Sequence, residues 1–543
     1  MNQETSREAA FLKPVDSIAV SEAIDRNADV MGDAEALVGD DTRLSWRQVK
    51  QRTDRMALAL LDLGLGREDV ALVQMPNGVD LFTIRVACEK AGVRLVSAPV
   101  SFREAELRAI IEHVRPSVAL VKSKYRDVDY VRMISSLIGN DSGLRIVAAG
   151  ETCASGAVLL EELLSTPIHG GHTLAQTKIG FFDVAEIQTT SGSTGVPKCV
   201  DVPIASRFLT GYVQAQRYRV TSSDVIGAFT PLTTGTSNSL AYYNGARLGA
   251  KLVLPSHFNA QEALEVIERE KVTVAIVVPT MLAQFVQLPT LSRDRVANLR
   301  VVVSHGALLV SELAQEVEAR TGAKVVQAYG SADYGGICAT CYDDPSDVRL
   351  GTVGKPLDGN ELRLVDDLGR DVPRGEVGRI LVRGAHAVAG YHRNPALQAE
   401  SWATGFFDTQ EFGQMDAAGN VVLAGRLKDI IIRGGQNIYP ADVENLLAKH
   451  PKVAQVAAIG IPDKVFGERV CACVVLQPGQ MLTFQEMAEF LRREKIAPFK
   501  LPERLEVFQE LPKGTGGLTK VDKTTLRKMV AARLSEKDQT SES

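Results

Sequence analysis

The sequence predicts an α/β protein of more than one domain, in which a wound α/β part is followed by a small β-rich part and a C-terminal part of mixed strands and helices. Three observations support this prediction. A chain of 543 residues is too long for a single hydrophobic core. Apolar strand-like runs alternate with amphipathic helix-like segments over most of the chain. The middle of the chain changes to short strands punctuated by glycine.

The wound α/β part is predicted from the alternation of strands and helices. Residues 70–73 form an apolar strand-like run before a helical stretch. Residues 261–270 have the pattern of a helix and are followed by the apolar run 273–278. A second helix is predicted at 311–321, and it leads into a strand at 324–326. Such alternation is typical of a sheet whose faces are covered by helices.

The β-rich part and the C-terminal part are predicted from changes of pattern. Residues 351–391 carry glycines between short alternating strands, which is typical of a small β-rich subdomain. After residue 426 the chain returns to a βα pattern over about 115 residues, enough for a domain of its own. The polar ends, residues 1–15 and 535–543, are expected to be loose.

Composition excludes several classes of protein. Hydrophobic residues make up 45% and charged residues 23% of the chain, as in ordinary globular proteins. A net charge of −5 and an aromatic content of 6% predict no surface for nucleic acid. No apolar stretch is long enough to span a membrane, and no secretory signal is visible. We expect a cytoplasmic protein with reduced cysteines that binds neither nucleic acid nor membrane.

The sharpest local motif is the ten-residue string TTSGSTGVPK at 189–198. Its glycines let the backbone approach an anion, its hydroxyls donate hydrogen bonds to phosphate oxygens, and Lys198 adds positive charge. The loop of P-loop nucleotide hydrolases is disfavoured, because Pro197 precedes the lysine and Cys199 stands where a magnesium-binding Ser or Thr is needed. The string therefore predicts a phosphate-binding loop of another type.

This string resembles the phosphate loop of the adenylate-forming superfamily, which contains acyl-CoA and aryl-CoA synthetases, stand-alone adenylation domains and luciferases. Other blocks follow in the family's order, namely GKP at 354–356, GEVG at 375–378, GY at 390–391, GRLKD at 425–429, GGQNIYP at 434–440, GE at 467–468, LPK at 511–513 and KVDK at 520–523. The resemblance runs from about residue 20 to residue 530. It implies a large N-terminal domain, residues 1–427, hinged to a small, mobile α+β domain, residues 428–543.

The resemblance also implies a two-step activation of a carboxylic acid. The carboxylate attacks the α-phosphate of ATP to give acyl-AMP and pyrophosphate, and a thiol, commonly that of CoA, then displaces AMP. The first step brings anions together, so it needs positive charge at the α-phosphate and a metal on the triphosphate. The implied cofactors are ATP/AMP, Mg²⁺ and CoA, and the implied partner is a small carboxylic acid or its acyl-adenylate.

Individual residues take roles from the same resemblance. The phosphate-binding residues are Thr190, Ser191, Gly192, Ser193, Thr194, Gly195 and Lys198. The nucleotide-binding residues are Gly306, Ala307, Tyr329, Ala332, Glu411 and Arg426, with Tyr329 stacking on adenine. The acid pocket would include Thr234, Gly235 and Ser304, and the CoA site Gly434 and Gly435. Asp333 would bind magnesium, Lys428 would act as the hinge, and Lys520 would reach the α-phosphate.

Three positions depart from the family's pattern. Asp333 replaces a glutamate and is one methylene shorter, which predicts weak or water-mediated metal binding. Gln410 replaces a glycine before Glu411, which predicts a different local turn. Lys513 and Lys520 are seven positions apart where the family has five. An error of about 1 Å in positioning can cost a rate factor of about a hundred.

These departures suggest a hypothesis about the two half-reactions. Adenylation is weak or lost, whereas thioester formation from a ready-made acyl-AMP is retained, because the departures affect ATP and metal and leave the hinge blocks intact. A separate adenylating enzyme would then be a partner. The alternative is that the loop bulges and Lys520 still reaches the α-phosphate.

The motifs say less about which acid is activated and which thiol accepts it. Residues 231–237 read PLTTGTS, where relatives usually carry a ring, and this favours a bulky cyclic or aryl acid. Two other functions stay open: a stand-alone adenylation enzyme that loads a carrier protein, and a non-catalytic paralogue that only binds nucleotide. The intact hinge blocks argue against the paralogue. Adenylate-forming enzymes are often dimers, and a homodimer is left open.

Overall fold

The structure is a computed structural model that describes residues 17–138, 143–150, 156–190, 197–307, 309–426, 429–433, 436–463, 466–494, 496–513 and 521–541. It has a large α/β N-terminal part with a small β-rich subdomain, followed by a small α+β C-terminal part. The fold class predicted from the sequence is therefore confirmed. Among the described residues, none of the helices combines the length and apolar character needed to cross a membrane.

The first stretch, up to residue 203, alternates strands with helices. Its elements are α1 (Val20–Met31), β1 (Glu35–Val38), β2 (Arg43–Ser45), α2 (Trp46–Asp62), β3 (Val70–Gln74), α3 (Val79–Ala91), β4 (Arg94–Ser97), α4 (Glu104–Val114), β5 (Val118–Lys122), β6 (Lys124–Tyr125), β7 (Val128–Asp129), α5 (Tyr130–Leu137), β8 (Arg145–Ala149), β9 (Ala157–Leu159), α6 (Leu160–Ser165), α7 (Leu174–Thr177), β10 (Val184–Thr190) and β11 (Lys198–Pro203).

The second stretch continues the alternation. Its elements are α8 (Ile204–Arg217), β12 (Val225–Ala228), a π-helix (Ser237–Gly245), α9 (Ala246–Leu248), β13 (Lys251–Val253), α10 (Ala260–Glu270), β14 (Val274–Val277), α11 (Pro279–Val286), β15 (Val301–His305), α12 (Ser311–Thr321), β16 (Lys324–Ser331), β17 (Gly335–Ala339), α13 (Ser346–Gly351) and β18 (Lys355–Pro356).

Local sequence explains where several of these helices begin and end. Ser45 caps α2: its side chain accepts the N–H of Gln48, and the Gln48 side chain accepts the N–H of Ser45. Asn259 caps α10 in a similar way, and Lys271 ends that helix in the left-handed conformation. Such caps satisfy backbone groups that the helix itself leaves unpaired.

Two largely parallel sheets form the N-terminal part. In the described residues one sheet has the order β21-β11-β10-β4-β3-β5-β8-β9, and the other has the order β18-β17-β16-β15-β14-β12-β13-β1-β2. Their inner strands are buried, as in β3, where all five residues are buried. The helix α3, the helix α8 and the π-helix contribute to one core that includes residues from both sheets. Within each sheet, parallel pairing brings the carboxyl ends of neighbouring strands to the same edge of that sheet.

The β-rich subdomain is larger than the sequence predicted. Its elements are β19 (Asn360–Val365), β20 (Val377–Gly384), β21 (Gly390–Tyr391), α14 (Pro395–Ser401), β22 (Phe407–Met415) and β23 (Val421–Arg426). The antiparallel order β19-β20-β22-β23 shows that half of the sheet lies beyond residue 391, where the predicted subdomain ended. β21 instead joins the first large sheet by pairing with β11.

The C-terminal part has its own sheet and core. Its elements are β24 (Ile431–Arg433), β25 (Gln436–Ile438), α15 (Pro440–Leu447), β26 (Val453–Asp463), β27 (Gly467–Leu476), α16 (Phe484–Arg493), a 3₁₀ turn (Pro498–Lys500), β28 (Arg504–Phe508) and α17 (Lys523–Ser541). The long hairpin of β26 and β27 forms its centre, and β28 pairs with β27 in parallel. The domain boundary at residue 427 stays a prediction, because residues 427–428 lie outside the described part.

Candidate active site

An edge of the second large sheet carries three exposed glycines. Gly306 follows β15, Gly330 lies near the end of β16, and Gly235 lies in the loop after β12. The strands β12, β14 and β15 run parallel, so their carboxyl ends meet at this edge. Ligands of open α/β sheets bind at the carboxyl ends of the strands, and a glycine lets a ligand approach the backbone closely. This edge is the candidate site.

The loop predicted to bind phosphate connects β10 to β11. These strands are antiparallel, and Thr190 lies directly opposite Lys198. The predicted residues of the loop that lie outside the described part are Ser191, Gly192, Ser193, Thr194 and Gly195. The Nζ of Lys198 lies 5.4 Å from the centroid of the Tyr391 ring, close enough for a cation–π interaction. Strand pairing thus brings both ends of the loop together.

A cluster of four residues lies where β16 meets the β-rich subdomain, and we call it the nucleotide corner. Tyr329 is buried, and its hydroxyl lies beside Thr409 and Glu411 of β22. Burial raises the pKa of the Tyr329 hydroxyl, and the Glu411 carboxylate raises it further. Arg426 of β23 is the direct cross-strand partner of Glu411. Three residues that the sequence assigned to the nucleotide, Tyr329, Glu411 and Arg426, are therefore neighbours.

The turn at Gln410 has an unusual backbone conformation. The φ angle of Gln410 is 57°, in the left-handed region that glycine adopts freely and that costs other residues about 1 kcal/mol. Its N–H donates to Asp408 Oδ1 at 3.0 Å, and the N–H of Glu411 donates to Thr409 Oγ1 at 3.1 Å. A residue other than glycine is therefore held here with backbone strain. Whether this turn differs from the turn of the glycine-containing relatives stays a prediction.

Asp333 lies in the turn between β16 and β17, where two other side chains position it. The hydroxyl of Tyr391 lies at hydrogen-bonding distance from the Asp333 carboxylate; burial raises the pKa of this tyrosine, and Asp333 raises it further. The hydroxyl therefore stays protonated and donates. The neighbouring carbonyl of Ala332 accepts a hydrogen bond of 3.3 Å from Arg207 Nη2. Asp333 and Ala332 thus occupy one turn. Tyr391 connects this turn to Lys198, because its hydroxyl contacts Asp333 and its ring lies beside the Lys198 ammonium.

Arg207 connects this turn to the loop predicted to bind the acid. The guanidinium is buried, and its Nη2 also donates to Gln188 Oε1 at 2.7 Å. Gln188 Nε2 in turn donates to the carbonyl of Thr233 at 2.8 Å. The hydrogen-bond partners of the Arg207 guanidinium among the described residues are neutral oxygens. Burial lowers the pKa of Arg207. We call Arg207, Gln188 and their two carbonyl partners the Arg207 relay.

A buried ion pair supports the same loop from the other side. Arg85 of α3 donates from Nη2 to Glu186 Oε2 and to Asn238 Oδ1, each at 3.0 Å, and from Nη1 to the carbonyl of Leu232. The side chains of Arg85 and Glu186 are both 1% exposed. Further hydrogen bonds support a buried pair, and here Asn238 and the carbonyl of Leu232 accept from both terminal nitrogens of Arg85, whereas its Nε has no partner within the described ranges. The loop is therefore anchored at both of its ends.

The residues predicted for the acid pocket separate into two groups. Thr234 and Gly235 lie in the loop after β12, whereas Ser304 lies on β15. Residues along β15 alternate between two cores on the two faces of the sheet, so Ser304 and His305 point to opposite faces. It is His305 that contacts Gly235: a Cβ built at position 235 would lie 2.6 Å from the Cε1 and Nδ1 atoms of the imidazole.

The residues present fit a nucleotide and a single metal ion. The buried hydroxyls of Ser304 and Ser331 have no hydrogen-bond partner within the described ranges. An unsatisfied buried polar group costs about 1–3 kcal/mol, so a polar ligand at this edge would relieve that cost. Groups of three or more metal-ligating side chains are absent from the described residues. Mg²⁺ would therefore depend on Asp333 and the phosphates of the nucleotide, as Mg²⁺ often does.

The remaining predicted residues fall into two sets. Gly306, Ala307 and Ala332 lie in turns along the same edge. Lys428, Gly434, Gly435 and Lys520 lie outside the described residues, so their roles in the hinge, CoA binding and catalysis stay predictions. The sequence reasoning missed Arg207, Tyr391 as a neighbour of Asp333, and His305. Tyr391 belongs to a recognised motif, but no local pattern distinguishes Arg207 or His305.

Comparison with known proteins agrees with the resemblance seen in the sequence motifs. A family model for the AMP-binding enzyme matches residues 24–392, and a model for the AMP-binding enzyme C-terminal domain matches residues 442–517. A salicylyl-CoA synthase / salicylate adenylyltransferase of a Streptomyces species is 32% identical over 512 residues, which cover 93% of this chain and 92% of that protein.

Two further proteins are similar along almost their whole length. A 2-hydroxy-7-methoxy-5-methyl-1-naphthoate–CoA ligase of Streptomyces carzinostaticus is 30% identical over 519 residues, covering 93% of this chain and 91% of that protein. The solved structure of an anthranilate CoA ligase in complex with anthranoyl-AMP has a TM-score of 0.85 and 26% sequence identity. The match covers 95% of this chain and 98% of that structure.

Proposed function

The chain belongs to the AMP-binding enzyme family and is an acid–thiol ligase, and from that premise we propose that it converts an aryl carboxylic acid into its CoA thioester through an acyl-adenylate. The nucleotide corner is the observation that carries this proposal. Tyr329 supplies a ring at the end of β16, and Glu411, whose cross-strand partner is Arg426, supplies a carboxylate beside it. A ring for a base and a carboxylate for a ribose diol are groups that suit AMP.

The chain's residues divide the work of the first step. Lys198, with Thr190 opposite it, would offset the charge of the phosphates, and Glu411 would accept hydrogen bonds from the ribose hydroxyls. Asp333 would hold Mg²⁺, with its carboxylate oriented by the Tyr391 hydroxyl. When bound, Mg²⁺ offsets negative charge on the triphosphate. Lys520 would reach the α-phosphate, and Lys428 would be the hinge between the two steps.

Relatives and pocket chemistry together favour an aryl acid. The similar proteins are named for salicylate, a 2-hydroxy-1-naphthoate and anthranilate, all of them aryl acids. The loop after β12 carries Thr233, Thr234 and Thr236 around Gly235, so its surface is small and hydroxylated. An aryl acid with a polar substituent suits such a surface. CoA would be received near Gly434 and Gly435.

The first half-reaction is proposed to be the weaker one. Asp333 is shorter than the expected glutamate, Gln410 holds a strained turn next to Glu411, and seven positions separate Lys513 from Lys520. Each departure concerns ATP, its metal or the α-phosphate. Transfer of the acyl group from AMP to a thiol needs neither the metal nor Lys520, because AMP is already a good leaving group. A separate adenylating enzyme would then supply the acyl-AMP.

The proposal is tested by offering the purified chain two acyl sources with CoA. One set of reactions contains aryl acids with MgATP, and the other contains the matching synthetic acyl-adenylates. We expect thioester rapidly from the adenylates and slowly, or not at all, from the acids. Equal rates from both sources would contradict the weak first step. If neither source gives thioester and the protein still binds AMP, the proposed ligase activity is contradicted and a nucleotide-binding paralogue is favoured.

Two controls complete the experiment. A phosphopantetheinylated carrier protein replaces CoA in a parallel series, because preference for that thiol would favour a stand-alone enzyme that loads a carrier. The variant Glu411→Ala is compared with wild type in AMP binding by calorimetry. Loss of one charge-assisted hydrogen bond predicts about tenfold weaker binding. Unchanged AMP affinity would remove the nucleotide corner as the basis of the proposal.

A further inference from the structure

The ring of His305 takes up space that the neighbouring loop leaves free. Gly235 is exposed in the loop after β12, and its φ of 51° is one that other residues adopt with strain. A Cβ at this position would lie 2.6 Å from both Cε1 and Nδ1 of His305, far inside van der Waals contact. The loop therefore accommodates the imidazole only because position 235 has no side chain. The sequence predicted a bulky acid because residues 231–237 lack a ring, whereas a ring from β15 packs against this loop.

His305 is held in place by hydroxyl groups. Its Nε2 is 3.1 Å from Thr230 Oγ1, and Thr230 Oγ1 is 2.6 Å from Ser237 Oγ. Thr230 and Ser237 are both buried, so these contacts fix the orientation of the ring. The hydrogen bond engages Nε2, and the edge that carries Nδ1 is the one that faces Gly235. That edge lies next to the exposed backbone of the candidate site.

The ring carries no charge at neutral pH. Burial lowers the pKa of His305 to about 4. A neutral imidazole offers one hydrogen-bond donor or acceptor and does not attract a carboxylate by charge. It therefore suits an uncharged polar substituent of a ligand better than the carboxylate that reacts.

We propose that His305 is a specificity-determining residue of the acid pocket, whose ring limits the size of the acid and whose free edge favours an acid with a hydroxyl or amino substituent. This inference rests on the proposed function, because it places the acid beside Gly235. The physical basis is the match between one ring and one glycine. Removing the ring enlarges the pocket, and replacing its nitrogens by carbon removes the hydrogen bond and keeps most of the volume.

The test compares wild type with His305→Gly and His305→Phe. Each enzyme receives CoA and four synthetic acyl-adenylates, those of benzoate, 2-hydroxybenzoate, 1-naphthoate and 2-hydroxy-1-naphthoate, and kcat/KM is measured for thioester formation. In His305→Gly we expect the ratio of two-ring to one-ring substrates to rise at least about tenfold, as typical of a changed apolar pocket. In His305→Phe we expect the size ratio of wild type and a loss of the preference for hydroxylated acids.

The outcomes separate this inference from the proposed function. If wild type forms no thioester from any aryl adenylate, the proposed function fails. If wild type is active and both ratios stay unchanged in His305→Gly, the role of His305 is overturned. AMP affinity of each variant is measured alongside, and it should equal that of wild type, because His305 is placed at the acid and not at the nucleotide.

A double-mutant cycle checks the contact itself and needs no substrate. Gly235→Ala places a methyl group against the ring and should lower the melting temperature, whereas Gly235→Ala in the His305→Gly background should lower it less. Strain from the positive φ is present in both backgrounds, so the difference isolates the contact. Equal losses in the two backgrounds would contradict the packing of His305 against Gly235.

Discussion

Burial controls the protonation of single side chains, and two histidines show this most clearly. His305 and His386 are both buried, and burial lowers the pKa of each to about 4. The Nε2 of His386 lies 2.9 Å from the carbonyl of Asp358, which can only accept, so this nitrogen carries the proton. Its Nδ1 lies 3.0 Å from Thr210 Oγ1, and that hydroxyl also donates to the carbonyl of Ser206 at 3.0 Å. Both nitrogens of His386 therefore have a neighbouring oxygen, and it is burial that opposes the charge of a second proton.

His386 predicts a loss of stability in mild acid. A histidine whose pKa is 6.5 when unfolded and about 4 when folded binds a proton preferentially in the unfolded state. Its stabilisation is thus complete above pH 6.5 and is lost as the pH falls towards 4, by about 2 kcal/mol between pH 7 and pH 5. Urea unfolding at these two pH values should show a smaller difference for His386→Gln than for wild type. The matched control is Gln485→Ala, which replaces an exposed side chain without a titratable group and should leave the difference unchanged; the same pH difference in both variants would contradict the prediction.

At the scale of elements, one helix and one strand connect the two binding regions. Arg207 on α8 contacts the carbonyl of Ala332, next to Asp333, and Gln188 on β10 contacts the carbonyl of Thr233. The two side chains are hydrogen-bonded to each other, so the Arg207 relay runs from the turn of Asp333 to the loop after β12. The π-helix that follows the loop is buried at all nine positions, which limits movement there. The turn of Asp333 and the loop after β12 are therefore joined by a continuous chain of hydrogen bonds.

Breaking the Arg207 relay should weaken the binding of acid and of nucleotide together. Arg207→Gln keeps a donor near one carbonyl at best, and leaving the other partner unsatisfied costs about 1–3 kcal/mol. We expect about tenfold weaker binding of both AMP and a free aryl acid, measured by calorimetry. The control is Arg219→Gln, since Arg219 lies just after α8 with its side chain 61% exposed. An effect on one ligand alone would show that the relay does not connect the two regions, and melting curves separate this from loss of folding.

Elements were predicted well because their determinants are local. The helix expected at 311–321 is α12, Ser311–Thr321, which ends before Gly322 in the left-handed conformation. Candidate site residues were recognised only where a motif marked them, as for Tyr329 and Glu411, and their roles stay predictions. Contacts such as that of Gly235 with His305 join residues 70 positions apart and depend on packing between elements. No pattern within either segment carries that information.

At the scale of the whole molecule, an aromatic pair and an ion pair are among the contacts that join the described residues of the two parts. Tyr439, before α15, packs on Phe412 of β22 with ring centroids 5.5 Å apart. Lys449 forms an ion pair of 3.6 Å with Glu312, and both side chains are more than 40% exposed. An exposed ion pair contributes about 0–1 kcal/mol, so breaking it would oppose the proposed turning about Lys428 only weakly.

The length of the loop between Lys513 and Lys520 should affect adenylation and leave thioester formation unchanged. Lys513 and Lys520 are seven positions apart where the resembling family has five, so deleting Gly516 and Gly517 restores the shorter spacing. If the long loop holds Lys520 away from the α-phosphate, the deletion should raise acid-dependent exchange of pyrophosphate into ATP by about tenfold or more. Thioester formation from acyl-adenylate and CoA should stay at the wild-type rate, because that step does not use Lys520. Substituting both glycines by alanine keeps the length and serves as the matched control. A gain in both half-reactions, or in the alanine variant, would mean that loop length is not what limits adenylation.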